Sequence, residues 1–253
     1  MVLATETLGA SLTWPRFVLA HGFTQNARCW GEFGRLLGSK HETTAVDAPG
    51  HGQSGHDDAD LAESGTLIIE AGGPGHYVGY SMGGRMLLHG VLDDRIGEVR
   101  SLVLIGATAG IDDAEERVAR KAADRRLAAD LRETGTEPFI EKWLSGPLFA
   151  GLTPEQSCMS KRLENSAEGM AASLENCGTG AQEPLWDRVS EIDIPVLVMA
   201  GAADGKFSEL GKRLAAAIGS NARFHTVHGG HAVHLENPAD TAHTVLRWVD
   251  EVG

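Results

Sequence analysis

The stretch Gly79-Tyr80-Ser81-Met82-Gly83 decides the fold, because it places a serine between two glycines directly after an apolar run. A tight turn from a strand into a helix raises such a serine hydroxyl above a sheet, and small flanking residues let the backbone make that turn. The neighbouring segments match, since residues 76–80 are β-prone and residues 84–92 have the apolar spacing of a helix. The pentapeptide therefore predicts an exposed serine nucleophile.

Two later strands are predicted to end beside this serine. Residues 196–201 form an apolar run followed by Asp204, and residues 223–227 lead into Gly229-Gly230-His231. The carboxyl ends of parallel strands share the edge of a sheet where ligands bind, so the three residues should converge. A histidine can accept the proton of a serine hydroxyl, and a carboxylate can orient that histidine. Ser81, His231 and Asp204 are therefore the predicted catalytic triad.

His231 has two histidine neighbours, His228 and His234, and evenly spaced histidines could instead bind a metal ion. The segment is interrupted by glycines, however, and offers no carboxylate or cysteine at a recognised ligand spacing. We therefore expect His231 to act as a base and predict no metal site.

Asp204 also has competitors. Asp187 and Asp193 precede the strand at residues 196–201, which would put them at the opposite edge of the sheet. The simpler alternative for Asp204 is turn formation in Ala203-Asp204-Gly205, a common use of an aspartate before glycine.

The backbone amides of Phe23 and Met82 are the predicted oxyanion hole. Met82 follows the nucleophile, and Phe23 lies in the loop after the apolar strand at residues 16–20. Gly22 would let the chain pass close to the substrate. His21 is expected to brace this loop by hydrogen bonding, and we place it among the substrate-binding residues.

Composition limits the classes of function. The chain has 253 residues, of which 42% are hydrophobic and 23% charged, which predicts one α/β domain with an insertion. Its net charge of −13 argues against nucleic acid or an anionic membrane as a partner.

The N-terminal segment does not resemble a secretory signal and no apolar run has the length of a membrane span, so we expect a cytoplasmic protein. Three widely spaced cysteines predict neither a disulfide framework nor a metal cluster, and no cofactor is implied.

Strands and helices alternate over residues 1–108 and 185–253, which predicts a mostly parallel sheet with helices on both faces. Residues 109–184 contain no strand-like run. They hold charged helical segments at 113–133 and 154–174, joined by residues 137–144. We interpret this insertion as a helical lid over the catalytic edge, with a merely structural helical hairpin as the alternative.

These motifs, in this order, resemble the α/β-hydrolase superfamily, and the resemblance covers nearly the whole chain. Within the superfamily the chain is most similar to the 2-succinyl-6-hydroxy-2,4-cyclohexadiene-1-carboxylate synthases of menaquinone biosynthesis. The residues that carry this similarity are Gly79 to Arg85, Trp143 within residues 142–149, Asp204-Gly205-Lys206-Phe207, and His231 to Pro238.

The resemblance implies a lyase rather than a hydrolase. The triad would remove a proton from 2-succinyl-5-enolpyruvyl-6-hydroxy-3-cyclohexene-1-carboxylate, a small anionic carboxylate, and pyruvate would be expelled. The resemblance also implies that Arg85, Arg120 and Arg162 hold the carboxylates, with Tyr80 and Trp143 lining the pocket. A serine carboxylesterase or carbon–carbon bond hydrolase of the same fold is the alternative, and a non-catalytic small-molecule binding protein is a more distant one. The sequence gives no indication of the oligomeric state.

Overall fold

The computed structural model describes residues 2–11, 13–55, 58–93 and 98–253. Across these residues seven strands form one sheet in the order β1-β3-β2-β4-β5-β6-β7. β1 pairs antiparallel with β3, and the other described neighbours are parallel. The strands are β1 (Thr5–Thr7), β2 (Phe17–Ala20), β3 (Thr43–Val46), β4 (Gly75–Tyr80), β5 (Val99–Ile105), β6 (Val196–Gly201) and β7 (Ala222–Val227).

Helices follow most strands. They are α1 (Gly31–Gly38), α2 (Leu61–Gly72), α3 (Met82–Leu92), α4 (Ala114–Thr134), α5 (Thr136–Leu144), α6 (Met159–Arg162), α7 (Ala167–Cys177), α8 (Gly205–Ile218), α9 (Val233–Glu236) and α10 (Pro238–Val252). Among the described residues, no helix is both long enough and apolar enough to cross a bilayer.

The central strands are buried on both faces, because successive side chains point to opposite sides of the sheet. In β2, Phe17 and Leu19 pack into the core beneath α1 and α10, whereas Val18 packs into the core beneath α2, α3 and α8. Every residue of β2, β3, β4 and β6 is buried. The sheet is therefore mostly parallel and covered by helices on both faces, as predicted.

The two glycines around Ser81 serve close packing. A Cβ on Gly79 would lie 2.5 Å from the Cα of Gly84, and a Cβ on Gly83 would lie 2.1 Å from the carbonyl oxygen of Ala20. Ser81 itself has the unusual backbone, with φ of 50° and ψ of −106°. The glycines therefore let α3 approach β4 and β2, and this packing holds the serine in a strained conformation.

The segment between β5 and β6 is helical and has its own small core, formed by Ala128, Leu131, Phe139, Ile140, Met170, Ala171 and Leu174. Two details differ from the sequence prediction. The predicted connection at residues 137–144 lies within helix α5, and the predicted helical segment at 154–174 is divided between α6 and α7. The Ser166 side chain accepts a hydrogen bond from the Gly169 amide and begins α7 anew.

Candidate active site

The three predicted triad residues meet at the carboxyl edge of the sheet. Ser81 follows β4, Asp204 follows β6, and His231 lies in the loop after β7. The Nε2 atom of His231 is 3.2 Å from the Ser81 hydroxyl, and its Nδ1 atom is 2.8 Å from a carboxylate oxygen of Asp204. The side chains of His231 and Asp204 are both buried, at 2% and 8% exposure. The arrangement is a continuous hydrogen-bonded path from carboxylate to hydroxyl.

The environment of Asp204 keeps its carboxylate ionised. Burial acts to raise the pKa of Asp204, but hydrogen bonds from His231 and from the Phe207 amide outweigh it and hold the pKa below the ordinary value. An ionised carboxylate accepts the Nδ1 proton of His231, which leaves Nε2 free to accept a proton from Ser81. The geometry can therefore deliver a serine alkoxide or a protonated imidazole when a substrate requires one.

Two residues that the sequence analysis missed hold His231 in place. Gly106, directly after β5, has φ of 59°, and a Cβ there would lie 2.9 Å from the imidazole Cε1. Glu236 accepts a 2.6 Å hydrogen bond from the Gly230 amide. The available signals in the sequence were a glycine directly after a predicted strand and an acidic residue five positions after the histidine.

The amides of Phe23 and Met82 are free to bind an oxyanion. Within the described part of the chain, neither amide donates a hydrogen bond to a protein acceptor. The loop that carries Phe23 is fixed instead through its neighbours, since the Gly22 amide donates to the Gln25 side chain at 3.0 Å. The role of the two amides as an oxyanion hole remains a prediction.

His21 braces this loop. Its Nδ1 atom donates to the Gly22 carbonyl at 2.9 Å, and its Nε2 atom accepts from the Ala48 amide at 3.0 Å. Burial lowers the pKa of His21 to about 4, so the ring is neutral. Because His21 is fully buried and both ring nitrogens are engaged by the main chain, the structure does not place it among the substrate-binding residues.

A cleft of about 310 Å³ opens beside the Ser81 hydroxyl. Arg85 lines it and is only 7% exposed, and its Nη1 atom is buried without a hydrogen-bond partner among the described residues. Burial lowers the pKa of Arg85 to about 10, which still leaves the guanidinium charged at neutral pH. The charge of Asp124 favours the guanidinium, but that carboxylate accepts a hydrogen bond from Arg120, and a buried cation without a directly bonded anion is costly unless a ligand supplies one. The cleft thus holds a cation suited to a carboxylate next to the candidate nucleophile.

The other two predicted arginines lie in different surroundings. Arg120 lines the same cleft, and its Nε atom donates to buried Asp124 at 2.7 Å. Arg162 does not line the cleft. It is 1% exposed and donates through Nε to the Ser157 carbonyl and through Nη1 to the Thr24 hydroxyl. The structure therefore places Arg120 at the site but Arg162 behind the loop that carries Phe23.

Tyr80 and Trp143 also lie outside the lining of this cleft. The Tyr80 ring is buried against His231 and His234, with centroid separations of 5.4 and 4.2 Å. Trp143, from α5, packs edge-on against Phe23 at 5.3 Å. Tyr80 therefore contacts a member of the triad, and Trp143 contacts the loop that carries Phe23, called the oxyanion loop below.

The metal alternative has no support in the geometry. His234 points into the core, where its ring lies 5.2 Å from the ring of Trp30. Among the described residues, no group of three or more histidine, cysteine or acidic side chains is arranged to hold a metal ion.

The model for the alpha/beta hydrolase family matches residues 17–244. This chain belongs to the alpha/beta hydrolase family. A Yersinia pestis (strain Pestoides F) 2-succinyl-6-hydroxy-2,4-cyclohexadiene-1-carboxylate synthase is 28% identical, over 94% of this chain and 88% of the relative. A Bacillus subtilis (strain 168) protein, whose name assigns it provisionally to the same synthase activity, is 32% identical over 87% of this chain and 85% of the relative.

Solved structures agree with these relatives. MenH from S. aureus is 26% identical, covers 99% of this chain and 98% of its own, and superimposes with a TM-score of 0.88. A thermophilic esterase from Thermogutta terrifontis, solved with malate bound, covers 99% of this chain and 93% of its own, with 22% identity and a TM-score of 0.83. The esterase shows the shared fold alone. The predicted fold and the predicted resemblance to the synthases are both confirmed.

Proposed function

We propose that this chain is a 2-succinyl-6-hydroxy-2,4-cyclohexadiene-1-carboxylate synthase, a carbon–oxygen lyase of menaquinone biosynthesis. The observation that carries the proposal is the Arg85 guanidinium, whose buried Nη1 atom has no hydrogen-bond partner in the described parts of the chain, in the cleft that also exposes the Ser81 hydroxyl. A small neutral ester gives no reason to keep a buried, unpaired cation there, whereas an anionic carboxylate does. The names of the similar synthases support the same activity.

In the proposed reaction His231 accepts the Ser81 proton, and Ser81 in turn removes a proton alpha to the succinyl carbonyl of the substrate. The developing enolate oxygen receives hydrogen bonds from the Phe23 and Met82 amides. The electron pair then forms a double bond to the next ring carbon, the existing ring double bond shifts by one position, and the carbon–oxygen bond to the enolpyruvyl group breaks, which leaves the ring as a diene. The expelled enolate takes up a proton and becomes pyruvate, and Asp204 stabilises the imidazolium throughout.

Cations and carboxylates both line the cleft that exposes Ser81. The cations are Arg85, Arg120, Lys206 and Arg213, and the carboxylates are Asp112, Asp113 and Glu116, of which Asp112 pairs with Arg213 at 2.6 Å. Arg85, Arg120 and Lys206 are therefore the cations proposed to bind an anionic substrate. Arg120 retains guanidinium nitrogens beyond the one that donates to Asp124, so it can still bind a carboxylate. We place the substrate carboxylates against these cations and the enzyme in the cytoplasm. Residues 109–184 would form the helical lid, with residues 1–108 and 185–253 as the catalytic core.

Ester or carbon–carbon bond hydrolysis is the second candidate. The observation that favours it is the Ser81–His231 geometry, which also fits direct attack of the serine on a carbonyl carbon.

The deciding experiment measures pyruvate release from the succinyl enolpyruvyl cyclohexene substrate, alongside turnover of a panel of neutral aryl esters. We expect Ser81→Ala to lower pyruvate release by about 10³-fold or more. Arg85→Met removes the cation but keeps an apolar stem, and should lower kcat/KM by about 10²-fold, the loss of a charge-assisted hydrogen bond.

Arg132→Met is the matched control, because Arg132 lies on the lid surface and pairs with Glu168 and Glu175. It should release pyruvate at the native rate. Ester turnover that needs Ser81 but tolerates Arg85→Met, with no pyruvate formed, would overturn the lyase proposal and leave a hydrolase.

A further inference from the structure

Two cysteines from distant parts of the chain lie side by side. Cys29 is in the turn before α1, and Cys158 precedes α6 in the inserted segment. The Cys158 thiol donates to the Cys29 carbonyl oxygen at 3.6 Å, and the Cys29 thiol donates to the Asn26 side-chain oxygen at 3.5 Å. Cys29 is 1% exposed, whereas Cys158 is partly exposed. One cysteine is thus partly exposed, and its neighbour is buried.

The surroundings divide the roles of the two thiols. Interaction with the neighbouring Cys29 thiol, opposed by burial and assisted by the Arg162 guanidinium, lowers the pKa of Cys158. Interaction with Cys158, together with burial, raises the pKa of Cys29. Of the two thiols, Cys158 is therefore the one that forms the reactive thiolate more readily, while Cys29 keeps its proton.

Cys177 provides an internal contrast. It is 1% exposed and donates to the Ala59 carbonyl at 3.3 Å, and burial raises its pKa to about 11. Its sulfur also lies 3.6 Å from the Ser64 hydroxyl, a side chain that is not a thiol. The third cysteine of the chain therefore has neither the thiolate character nor the neighbour that the first two share.

We propose that Cys29 and Cys158 form a peroxide-sensitive dithiol that closes to a disulfide between the core and the inserted helical segment. The Cys158 thiolate attacks one oxygen of hydrogen peroxide, the O–O bond breaks, and the departing hydroxide takes up a proton to become water. Cys158 is now a sulfenic acid. The Cys29 sulfur then attacks the Cys158 sulfur, the S–O bond breaks, and the hydroxide leaves as a second water with the proton of Cys29. Two thiols are oxidised and one peroxide is reduced to two waters.

This disulfide would act on the segment that supports the oxyanion loop. Cys158 lies four residues before Arg162, and its carbonyl accepts the Arg162 amide at 3.0 Å. Arg162 in turn donates to the Thr24 hydroxyl, next to Phe23. Oxidation removes the thiolate that faces Arg162 and ties this segment to the turn before α1.

The test oxidises the full-length native chain with hydrogen peroxide at pH 7.5, blocks free thiols, and maps peptides by mass spectrometry without reduction. We expect a cross-linked peptide pair containing Cys29 and Cys158, reversed by dithiothreitol. It should form at least about tenfold faster than any oxidation of Cys177, given the difference in thiolate fraction. Cys158→Ser should abolish the cross-link, and Cys177→Ser should leave it intact.

Cys29→Ser removes the resolving sulfur but keeps a hydroxyl beside Cys158. Cys158 sulfenic acid should therefore still form, accumulate and react with dimedone. Oxidation of Cys158 to sulfinic acid in the native chain without a cross-link, or equal reactivity of Cys177, would overturn the proposal. Because the readout is peptide mass, it is independent of whether the chain releases pyruvate.

Discussion

At the scale of single residues, Gly106 controls the position of the catalytic imidazole. Its φ of 59° and the 2.9 Å approach of a Cβ to the His231 ring mean that a methyl group there must displace the ring. We predict that Gly106→Ala lengthens the contact between His231 and Ser81, and lowers kcat by about 10²-fold or more, because a misplaced base loses the proton transfer. Steady-state pyruvate release measures this loss.

Gly135→Ala is the control that separates displacement of the His231 ring from the strain of a left-handed backbone. Gly135 has φ of 81°, but a Cβ there meets no atom within 4 Å. Both substitutions should cost about 1–2 kcal/mol of folding free energy, the penalty of a left-handed backbone for a residue with a side chain. Only Gly106→Ala should lose activity. Normal kcat in a folded Gly106→Ala protein would show that the imidazole tolerates the contact.

The sequence predicted that the three triad residues meet, but not which of the other named residues line the cleft. The difference has a physical reason. Ser81, Asp204 and His231 each follow a strand, and the order of parallel strands brings strand ends together whatever the details of packing. The directions of Arg162 and Trp143 depend instead on how inserted helices rotate against the core, which no local pattern encodes. Arg162 therefore lies behind the oxyanion loop although the family motif suggests a substrate contact.

At the scale of elements, one side chain joins the inserted segment to two loops of the core. Asn165, between α6 and α7, is 4% exposed. Its amide nitrogen donates to the carbonyls of Thr24 and Gln25 at 2.8 and 3.3 Å, and its oxygen accepts from the Gly52 amide at 2.7 Å. The loop that carries Phe23 thus depends on a residue about 140 positions away.

We predict that Asn165→Asp, a change of nearly the same size, moves this loop. A carboxylate cannot donate to the two carbonyls and instead repels them, so the Phe23 amide should lose its alignment. We expect kcat to fall by about 10-fold to 10²-fold, as for a weakened oxyanion hole, with a smaller change in KM. Kinetics across a range of substrate concentrations separate the two parameters.

Asn221→Asp is the control, because Asn221 also donates to a carbonyl, that of Ile192, at 3.1 Å, but beside the amino end of β6. Its kcat should equal that of the native chain. Equal losses in both variants would indicate general destabilisation, and an unchanged kcat in Asn165→Asp would show that the loop is held by other contacts.

Element boundaries show where sequence patterns carry less information. The break between α6 and α7 contains neither glycine nor proline, and its signal is the single capping serine, Ser166. Strand β1 has only three residues, lies at the edge of the sheet, and exists because it pairs with β3. Both features depend on a partner elsewhere in the chain, so hydrophobic periodicity alone does not reveal them.

At the scale of the whole molecule, several histidines are buried in the neutral form. Burial lowers the pKa to about 4 for His21, His76 and His89 and to about 3 for His51 and His234. The unfolded chain binds protons at these sites below about pH 6.5, while the folded protein does not until the pH approaches 4. The stability that these groups contribute is therefore present above pH 6.5 and is lost progressively as the pH falls toward 4.

His234→Phe tests this linkage at one site. The ring lies among Trp30, Phe33 and Tyr80, and neither of its nitrogens has a hydrogen-bond partner within the described residues, so a phenyl ring suits the same space. Urea unfolding at pH 7 and pH 5 should show the native protein losing stability on acidification. The variant should lose about 1–2 kcal/mol less, since one proton no longer binds the unfolded chain preferentially.

The readout is the difference in unfolding free energy between the two pH values, because this difference cancels any repacking cost of the larger ring. Equal acid sensitivity of the native protein and His234→Phe would mean that the buried ring takes up its proton as readily as the unfolded chain does.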